Sequence, residues 1–355
     1  MKNGKSLFGM ILLIVFLFLL SNNCSNKTYN KIYPTLSDGK YDSEFPYRNC
    51  STQLQDIIKS VKKIICTAEY TSYVFLKEKK ISINDLSKEV IEANSIKKEI
   101  SIKSKSGTAT IISASMNHVA LLTCSHISSF PDTIITYYAP LYSGAKKYIF
   151  SLSIKTGQKQ YGVDIPGSGE LSILAIDEKN DIAVLGCKID IESTVHPPKV
   201  FNYKFGNSKD LEWGSFVYII GYPKGRKMIT RGIVSSPNRD NSGSFLIDAL
   251  FNEGISGGMI LAIRDGVPNF EFVGIAKSVS IDTKYILRPF QSGYEYSNPN
   301  IPYQGEFCVH KDSEINYGIT YAVSNELIRL FFKKNKEKFQ QAGYDFSSIF
   351  KDDKN

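Results

Sequence analysis

The segment Asn252-Glu253-Gly254-Ile255-Ser256-Gly257-Gly258 stands between two apolar runs, residues 245–247 and 259–263. Its glycines allow turn conformations that a Cβ would forbid, so the pattern predicts a tight turn between two strands. Such a turn holds Ser256 at a fixed point and can aim several backbone N–H groups at one spot, as an oxyanion hole requires. Ser256 is then a candidate nucleophile, provided that a base lies near it. Taken alone, a glycine-rich hairpin with a solvated serine explains the segment better, so the rest of the chain must decide.

Length and composition are those of a globular protein. The chain has 355 residues, with 42% hydrophobic and 22% charged residues, enough for one large domain or two small ones. The net charge of +8 comes from scattered basic residues with short clusters at 77–80 and 333–336. These clusters indicate solvated faces, with weak attraction to anionic lipid or acidic partners as the alternative. The chain has no nucleic-acid motif, so we expect no nucleic-acid partner.

The first 24 residues predict an export signal. Lys2 and Lys5 precede an apolar run over residues 7–20, which is shorter than the roughly 20 residues of a membrane span and typical of a signal-peptide core. The cysteine that follows, Cys24, resembles the lipidated first residue of mature bacterial lipoproteins. We therefore expect a lipoprotein of the bacterial cell envelope, in the outer membrane because Ser25 rather than Asp follows. Asn23 is unusual before such a cysteine, so an uncleaved anchor and ordinary secretion stay open.

The other cysteines give no sign of a metal site. None of the six cysteines forms a C-x-x-C pair, so we expect no zinc. Cys124 and Cys187 lie in apolar runs and are predicted to be small core residues. A Cys50–Cys66 disulfide is left open.

Short β-rich runs dominate the chain between residues 100 and 323, and their turn punctuation predicts an all-β barrel or sandwich. Residues 25–50 are polar and aperiodic, as in a flexible tether. A capping pattern at Thr52 predicts a short helix to about residue 62. A Tyr-, Pro- and Asn-rich stretch at 282–316 is interpreted as a long loop insertion. Asn325 is predicted to cap a terminal helix ending near Gly343, which leaves a polar tail at 344–355.

Two residues elsewhere in the chain are candidate partners for Ser256. His126 is one of four histidines and closes the apolar run at 120–126, so a strand would give it a rigid mount as a general base. Asp181 directly precedes the apolar run 182–185, where a partly buried carboxylate needs a donor such as an imidazole N–H. Each alone is better explained as an ordinary surface, core or turn residue. Together they follow the order His…Asp…Ser, which differs from the orders of the α/β-hydrolases and subtilisins.

Six segments then occur in a fixed order: Leu122-Thr123-Cys124-Ser125-His126, Asp181-Ile182-Ala183-Val184-Leu185, Gly221-Tyr222-Pro223-Lys224-Gly225, Arg231-Gly232-Ile233-Val234-Ser235, Asp248-Ala249 with Gly254-Ile255-Ser256-Gly257-Gly258, and Val273-Gly274-Ile275. They resemble the trypsin-fold (chymotrypsin-like) serine proteases, closest to the bacterial Do-like group, over roughly residues 51–338. The resemblance implies a single catalytic domain over 51–343, built from two six-stranded β-barrels with a short N-terminal helix and a C-terminal helix. The triad would lie between the barrels, and no PDZ domain is expected.

The resemblance also implies roles for individual residues. His126 would take the proton of Ser256, and Asp181 would orient the imidazole. The backbone N–H groups of Gly254 and Ser256 would form the oxyanion hole. Ile255 departs from the Asp or Asn usual in the family and cannot brace that loop by hydrogen bonding, and Met259 replaces a usual Pro.

Specificity is predicted from the residues before the nucleophile. Leu250 takes the family position at the base of the S1 pocket, with Phe251 and Ala276 beside it, so we expect aliphatic P1 residues. The substrate would be a polypeptide extended along a strand edge of the second barrel, and no metal or cofactor is expected.

The sequence thus predicts a secreted or membrane-anchored serine endopeptidase acting through an acyl-enzyme. A catalytically weak binding or adhesion lipoprotein with the same fold is the main alternative, and an esterase is the third.

Overall fold

Two sheets of strands carry the fold of this chain. The computed structural model describes residues 34–115, 117–138, 146–165, 169–189, 198–249, 252–289, 307–347 and 349. The predicted signal with Cys24, residues 25–33 of the predicted tether, and the pocket residues Leu250 and Phe251 lie outside these ranges. In the described residues, no helix is both long enough and apolar enough to cross a membrane.

The first sheet closes into a barrel of six strands. The sheet as a whole has seven strands: β1 (Val61–Phe75), β2 (Ser95–Ser115), β3 (His118–Thr123), β4 (Thr133–Tyr137), β5 (Ile149–Gly162), β6 (Glu170–Asp177) and β7 (Ile182–Lys188). The ring runs β1-β2-β3-β7-β6-β5, and pairing of β5 with β1 closes it. The short strand β4 is added beside β5.

The second sheet repeats this plan. It consists of β8 (Lys204–Phe205), β9 (Phe216–Gly221), β10 (Met228–Ser236), β11 (Phe245–Ile247), β12 (Met259–Ile263), β13 (Phe270–Pro289) and β14 (Phe307–Ser324). The ring runs β12-β9-β10-β11-β14-β13 and closes through β12 and β13, with β8 parallel to β13 outside it. The predicted pair of six-stranded barrels is confirmed, and each barrel carries one added strand.

Continuous apolar strands form the core because both of their faces are covered. All seven residues of β7 except the last are buried, and β3 is buried from its second residue onward. Leu121, Leu122 and Leu185 are fully buried, and each such side chain contributes about 1.5–3 kcal/mol by leaving water. These two strands lead to the segments that carry His126 and Asp181, so the site is mounted on the most tightly packed part of the first barrel.

Five short α-helices, besides several 3-10 turns, accompany the barrels in the described chain: α1 (Ser51–Ile57), α2 (Lys88–Asn94), α3 (Ser125–Ser128), α4 (Asn325–Lys334) and α5 (Lys336–Gln341). The predicted short N-terminal helix and C-terminal helix are confirmed. The cap of α4 differs from the prediction, because the Ser324 hydroxyl, rather than Asn325, accepts the Leu327 N–H. Asn325 instead donates its side-chain amide to the Gly206 carbonyl at 2.6 Å.

Two expectations about the irregular parts of the chain are wrong. The predicted loop over 282–316 is paired at both ends, because β13 and β14 continue as one hairpin from Ser280↔Asn316 to Pro289↔Phe307. Within the predicted tether, Tyr41 is buried and bridges to Arg264, and its hydroxyl donates to Glu271 at 2.7 Å. The end of that segment is thus packed on the second barrel. The four described cysteines, Cys50, Cys66, Cys124 and Cys187, are free thiols, so the Cys50–Cys66 disulfide is not formed.

Candidate active site

His126 and Asp181 form the best-defined contact of the site. The imidazole Nδ1 lies 2.9 Å from Asp181 Oδ2 and 3.0 Å from Oδ1. Because an ionised carboxylate only accepts hydrogen bonds, Nδ1 carries the proton and Nε2 is left as the basic nitrogen. His126 lies in α3, just beyond the end of β3 where the sequence analysis placed it, and its side chain is 45% exposed against 6% for Asp181. The base thus faces the solvent while its partner is buried.

The turn between β6 and β7 delivers Asp181. The Asp177 carboxylate accepts hydrogen bonds from the backbone and the side-chain amide of Asn180, at 3.1 and 2.8 Å. Asp181 itself has a φ of +60°, a left-handed conformation that few residues except Gly, Asn and Asp adopt. The two hydrogen bonds that Asp177 accepts from Asn180 therefore stabilise the turn, and the turn keeps Asp181 in its unfavourable left-handed conformation.

Three groups of one short segment surround the Asp181 carboxylate. Besides the imidazole, the His126 backbone N–H and the Ser125 hydroxyl each donate to Oδ1 at 2.9 Å. Burial by itself raises the pKa of Asp181, but these hydrogen bonds and the His126 charge outweigh it, so the pKa of Asp181 lies below its ordinary value. The carboxylate is therefore ionised at neutral pH and able to stabilise an imidazolium.

Ser256 lies in a turn of the second barrel that is bonded directly to the first barrel. The Ser256 carbonyl accepts the Thr108 N–H at 2.8 Å. A Cβ on the neighbouring Gly257 would lie 2.1 Å from the Thr108 carbonyl oxygen and 3.2 Å from the Cys124 nitrogen. Only glycine allows this approach, which brings the nucleophile turn against the segment that leads to His126.

Two peptide groups of this turn have their carbonyls engaged. The Glu253 carbonyl accepts from the Lys224 N–H and the Ile255 carbonyl from the Gly258 N–H, both at 2.7 Å. In a planar trans peptide the N–H points opposite to the C=O. The N–H groups of Gly254 and Ser256 belong to these same two peptide groups. They therefore point away from Lys224 and Gly258, which bind the carbonyls.

Gly254 and Ile255 keep the turn in this shape in different ways. Gly254 has a φ of +96°, and a Cβ there would lie 2.5 Å from the Tyr222 carbonyl oxygen. Ile255 is buried in the core of the second barrel, and its N–H donates to Asn252. Ile255 thus braces the turn by packing where the family commonly uses a hydrogen-bonding side chain.

The link between base and nucleophile is open in this structure. In the described part of the chain, no hydrogen bond joins Ser256 Oγ to His126, although the bonds of His126 to Asp181 are complete. Ser256 as a residue is 9% exposed, so only a small part of it contacts solvent. Catalytic hydrogen bonds are often long before substrate binds, and productive attack requires this one to form.

The predicted pocket residues are only partly placed. Leu250 and Phe251 lie outside the described residues, so their role stays a prediction. Ala276 is fully buried, and its backbone exchanges two hydrogen bonds of 2.8 Å with the nucleophile turn, accepting from Gly257 and donating to Gly258. Its observed contribution is to hold that turn on β13.

Cys124, His126 and Asp181 place three potential ligand atoms within 4.8 Å of one another. However, burial raises the pKa of the Cys124 thiol well above its ordinary value, and the thiol donates to the Ala276 carbonyl at 3.4 Å. A metal would need the thiolate. The donor set thus fits an oriented base better than a metal site.

Two functional residues were missed by the sequence analysis. Thr108 joins both barrels: its hydroxyl donates to the Gly254 carbonyl and accepts the Tyr222 N–H, at 2.8 and 2.9 Å. Ser125 was quoted only as part of a motif, yet its hydroxyl binds Asp181. Ser125 directly precedes His126 in the sequence, which was the one available signal, whereas nothing in the sequence pointed to Thr108.

One family model and solved structures match this chain. Residues 107–275 match the family model of the trypsin-like peptidase domain. Among solved structures, the chain is similar to the crystal structure of the serine endoprotease from Yersinia pestis, with 17% identity and a TM-score of 0.39 over 82% of this chain and 67% of that chain. No curated protein matches the chain. The family match spans the strands and turns that carry His126, Asp181 and Ser256, so residues 107–275 of this chain match a trypsin-like peptidase domain, and the two six-stranded barrels are those of the trypsin fold.

Proposed function

We propose that this protein is a serine endopeptidase in which Ser256 attacks the peptide carbonyl and His126 accepts its proton. The observation that carries the proposal is the buried Asp181 carboxylate, bonded to His126 Nδ1 at 2.9 Å. This bond fixes the tautomer that leaves Nε2 free as the base. The family match supports the same reaction class.

The turn before the nucleophile supplies the second requirement, stabilisation of the oxyanion. The N–H groups of Gly254 and Ser256 point away from Lys224 and Gly258, which bind the preceding carbonyls. An oxyanion hole requires two such N–H donors for the substrate oxygen. The bond is broken in two steps. Ser256 Oγ forms an ester with the acyl part while His126 passes its proton to the departing amine, and water, deprotonated by His126, then hydrolyses the ester. No cofactor enters this scheme.

Fluorophosphonate labelling tests this proposal. The wild type should be labelled covalently, Ser256→Ala should not be, and Ser172→Ala, which changes an exposed serine of β6, should be labelled like the wild type. Equal absence of label in all three proteins would overturn the enzyme assignment. The open His126–Ser256 link favours that outcome and, with it, a protease-fold binding protein. Digestion of a peptide library separates an endopeptidase from an esterase.

We further propose that the protein is exported and anchored by lipid at Cys24 in the bacterial cell envelope, in the outer membrane by analogy with enteric sorting. The short apolar run followed by Cys24 supports this. Palmitate labelling should depend on Cys24, and Cys24→Ala should release the protein from membranes. An unlabelled, soluble wild type would contradict the proposal.

A further inference from the structure

The first half of strand β2 has an edge that pairs with no other strand in the described chain. β2 pairs with β1 along its length, from Val61↔Thr110 to Phe75↔Ser95. It pairs with β3 only from Thr110 onward. Residues 95–106 therefore have one neighbouring strand among the described residues, and all of them except Ser95 and Ser101 are exposed.

The register shows which backbone groups face this open edge. The Thr108 N–H donates to Ser256 and its carbonyl accepts from the Thr123 hydroxyl, so both backbone groups of Thr108 point away from β1. Backbone direction alternates along a strand, and the β1–β2 register has no shift over this stretch. The N–H and C=O groups that face outward are therefore those of Ser106, Ser104, Ile102 and Ile100.

The open edge starts at the catalytic centre. Thr108, at its inner end, is bonded to Ser256, and Lys105 Nζ donates to the His126 carbonyl at 2.7 Å. In the proposed reaction, His126 protonates the amine of the departing part of the substrate. That part therefore leaves on the His126 side of Ser256, where this edge begins, while the acyl part lies toward the second barrel.

The side chains along the edge alternate in character. Ile100 and Ile102 share one face of the strand and are each 69% exposed, although long exposed apolar edges favour unwanted pairing and are usually avoided. Lys103 lies on the opposite face. Residues 95–106 hold four lysines and one glutamate, and that glutamate, Glu99, is bonded to Lys97 at 2.6 Å. The edge is thus apolar on one face and positively charged overall.

We infer that the outer edge of β2, residues 100–106, binds the part of a polypeptide substrate that follows the cleaved bond, as an added β-strand with alternating aliphatic and acidic side chains. The inference rests on the proposed function and names its substrate class. Aliphatic side chains would lie beside Ile100 and Ile102, and carboxylates beside Lys103. Seven residues of strand span about 20 Å, so the substrate needs roughly seven residues beyond the cleaved bond.

Peptide binding to the inactive full-length variant Ser256→Ala, followed by fluorescence anisotropy, tests this inference. The long probe carries seven alternating Val and Glu residues after an aliphatic residue, and the short probe ends two residues after it. In the same background, Ser104→Pro removes one outward N–H and leaves the bonds to β1 intact. Ser104→Thr is the matched control because it keeps that N–H.

Ser104→Pro should weaken binding of the long probe at least tenfold and leave the short probe unchanged, whereas Ser104→Thr should bind both like its parent. Replacing Glu by Lys in the long probe should also weaken binding. Equal affinity of the Pro and Thr variants for the long probe, with unchanged thermal melts, would overturn the inference. A dimer in sedimentation that Ser104→Pro converts to monomer would also overturn it, because the edge would then bind a second copy. Failure of fluorophosphonate labelling with intact edge-dependent binding would count against the protease proposal alone.

Discussion

The Thr108 hydroxyl of the first barrel donates a hydrogen bond of 2.8 Å to the Gly254 carbonyl of the second barrel. The same hydroxyl accepts the Tyr222 N–H at 2.9 Å, and the Thr108 N–H binds the Ser256 carbonyl. One buried side chain therefore fixes the turn that carries Gly254 and Ser256, the residues of the proposed oxyanion hole and nucleophile.

Thr108→Val is expected to impair both stability and rate. The substitution keeps the shape but leaves the Gly254 carbonyl and the Tyr222 N–H without a partner, at a cost of about 1–3 kcal/mol. We expect the labelling rate to fall by roughly 10- to 100-fold, because loss of one oxyanion donor costs about 10²–10³ in rate and here the donors are only displaced. Thr108→Ser, which keeps the hydroxyl, should stay near wild type. Denaturant unfolding and fluorophosphonate kinetics measure the two effects, and equal rates in Val and Ser variants would contradict the role.

Ser256 and His126 should behave as one catalytic unit. Ser256→Ala and His126→Ala should each abolish most of the peptidase rate, and the double variant should lose little more than either, because the groups act together. Asp181→Asn should cost roughly 10⁴-fold if it stabilises the wrong imidazole tautomer. The rates are compared on one fluorogenic peptide with proteins of equal thermal stability. Additive losses from Ser256→Ala and His126→Ala would show that the two side chains do not cooperate.

Removal of the Ser125 hydroxyl should raise the pKa of Asp181 toward its ordinary value, because one of its charge-assisted hydrogen bonds is lost. A carboxylate with a lowered pKa stabilises the fold above its unfolded pKa of about 3.9, and that stability is lost as the pH falls through the folded pKa. The free energy of unfolding of Ser125→Ala should therefore be lower than that of the wild type by about 1.5–3 kcal/mol near neutral pH, and by progressively less below about pH 4. Ser128→Ala, which removes a hydroxyl of the same short helix that donates to the Ser125 carbonyl and not to Asp181, should show no such pH dependence. A loss that is constant from pH 3 to 7 would exclude a role through Asp181.

The buried Asp42 should give the opposite pH dependence. Burial, with smaller contributions from Glu44, Asp265 and Asp38, raises the pKa of Asp42 to about 6 despite a hydrogen bond from Gly266. A carboxyl with a raised pKa contributes stability below its unfolded pKa, and that stability is lost as the pH rises through the folded value. The free energy of unfolding of Asp42→Asn should therefore rise relative to that of the wild type between about pH 4 and pH 7. The gain should be on the order of 1 kcal/mol, because water screens the acidic neighbours. Thermal melts across this range check the sign.

The predicted S1 pocket should favour aliphatic residues. Leu250 and Phe251 offer no carboxylate, and a buried Lys or Arg without a partner costs several kcal/mol. Mass-spectrometric mapping of cleavage sites in a peptide library should show small or medium aliphatic P1 residues. Cleavage chiefly after Lys or Arg would show that an acidic group elsewhere reaches the pocket.

The fold was predictable because strand and turn signals alternate along the chain and six motifs occur in order. The β-rich ends of the 282–316 stretch were misread because Tyr, Pro and Asn obscured the pairing of β13 with β14, which is set by contact between distant segments. His126, Asp181 and Ser256 could be predicted as a base, a carboxylate and a nucleophile from their side chains and their order in the chain. The roles of Thr108 and Ser125 could not be predicted, because their hydrogen-bond partners lie 146 and 56 residues away along the chain.

The proposed acid–base pair and the proposed nucleophile belong to different barrels. His126 and Asp181 are mounted on the first barrel, and Ser256 and Gly254 on the second. A small rotation of one barrel against the other would thus lengthen or shorten the His126–Ser256 separation, and the bonds of Thr108 to Gly254 and Ser256 across the seam would oppose it. The rate of such an enzyme would respond to mechanical load or to ligands that wedge or clamp the seam between the barrels, even when they touch no reacting atom.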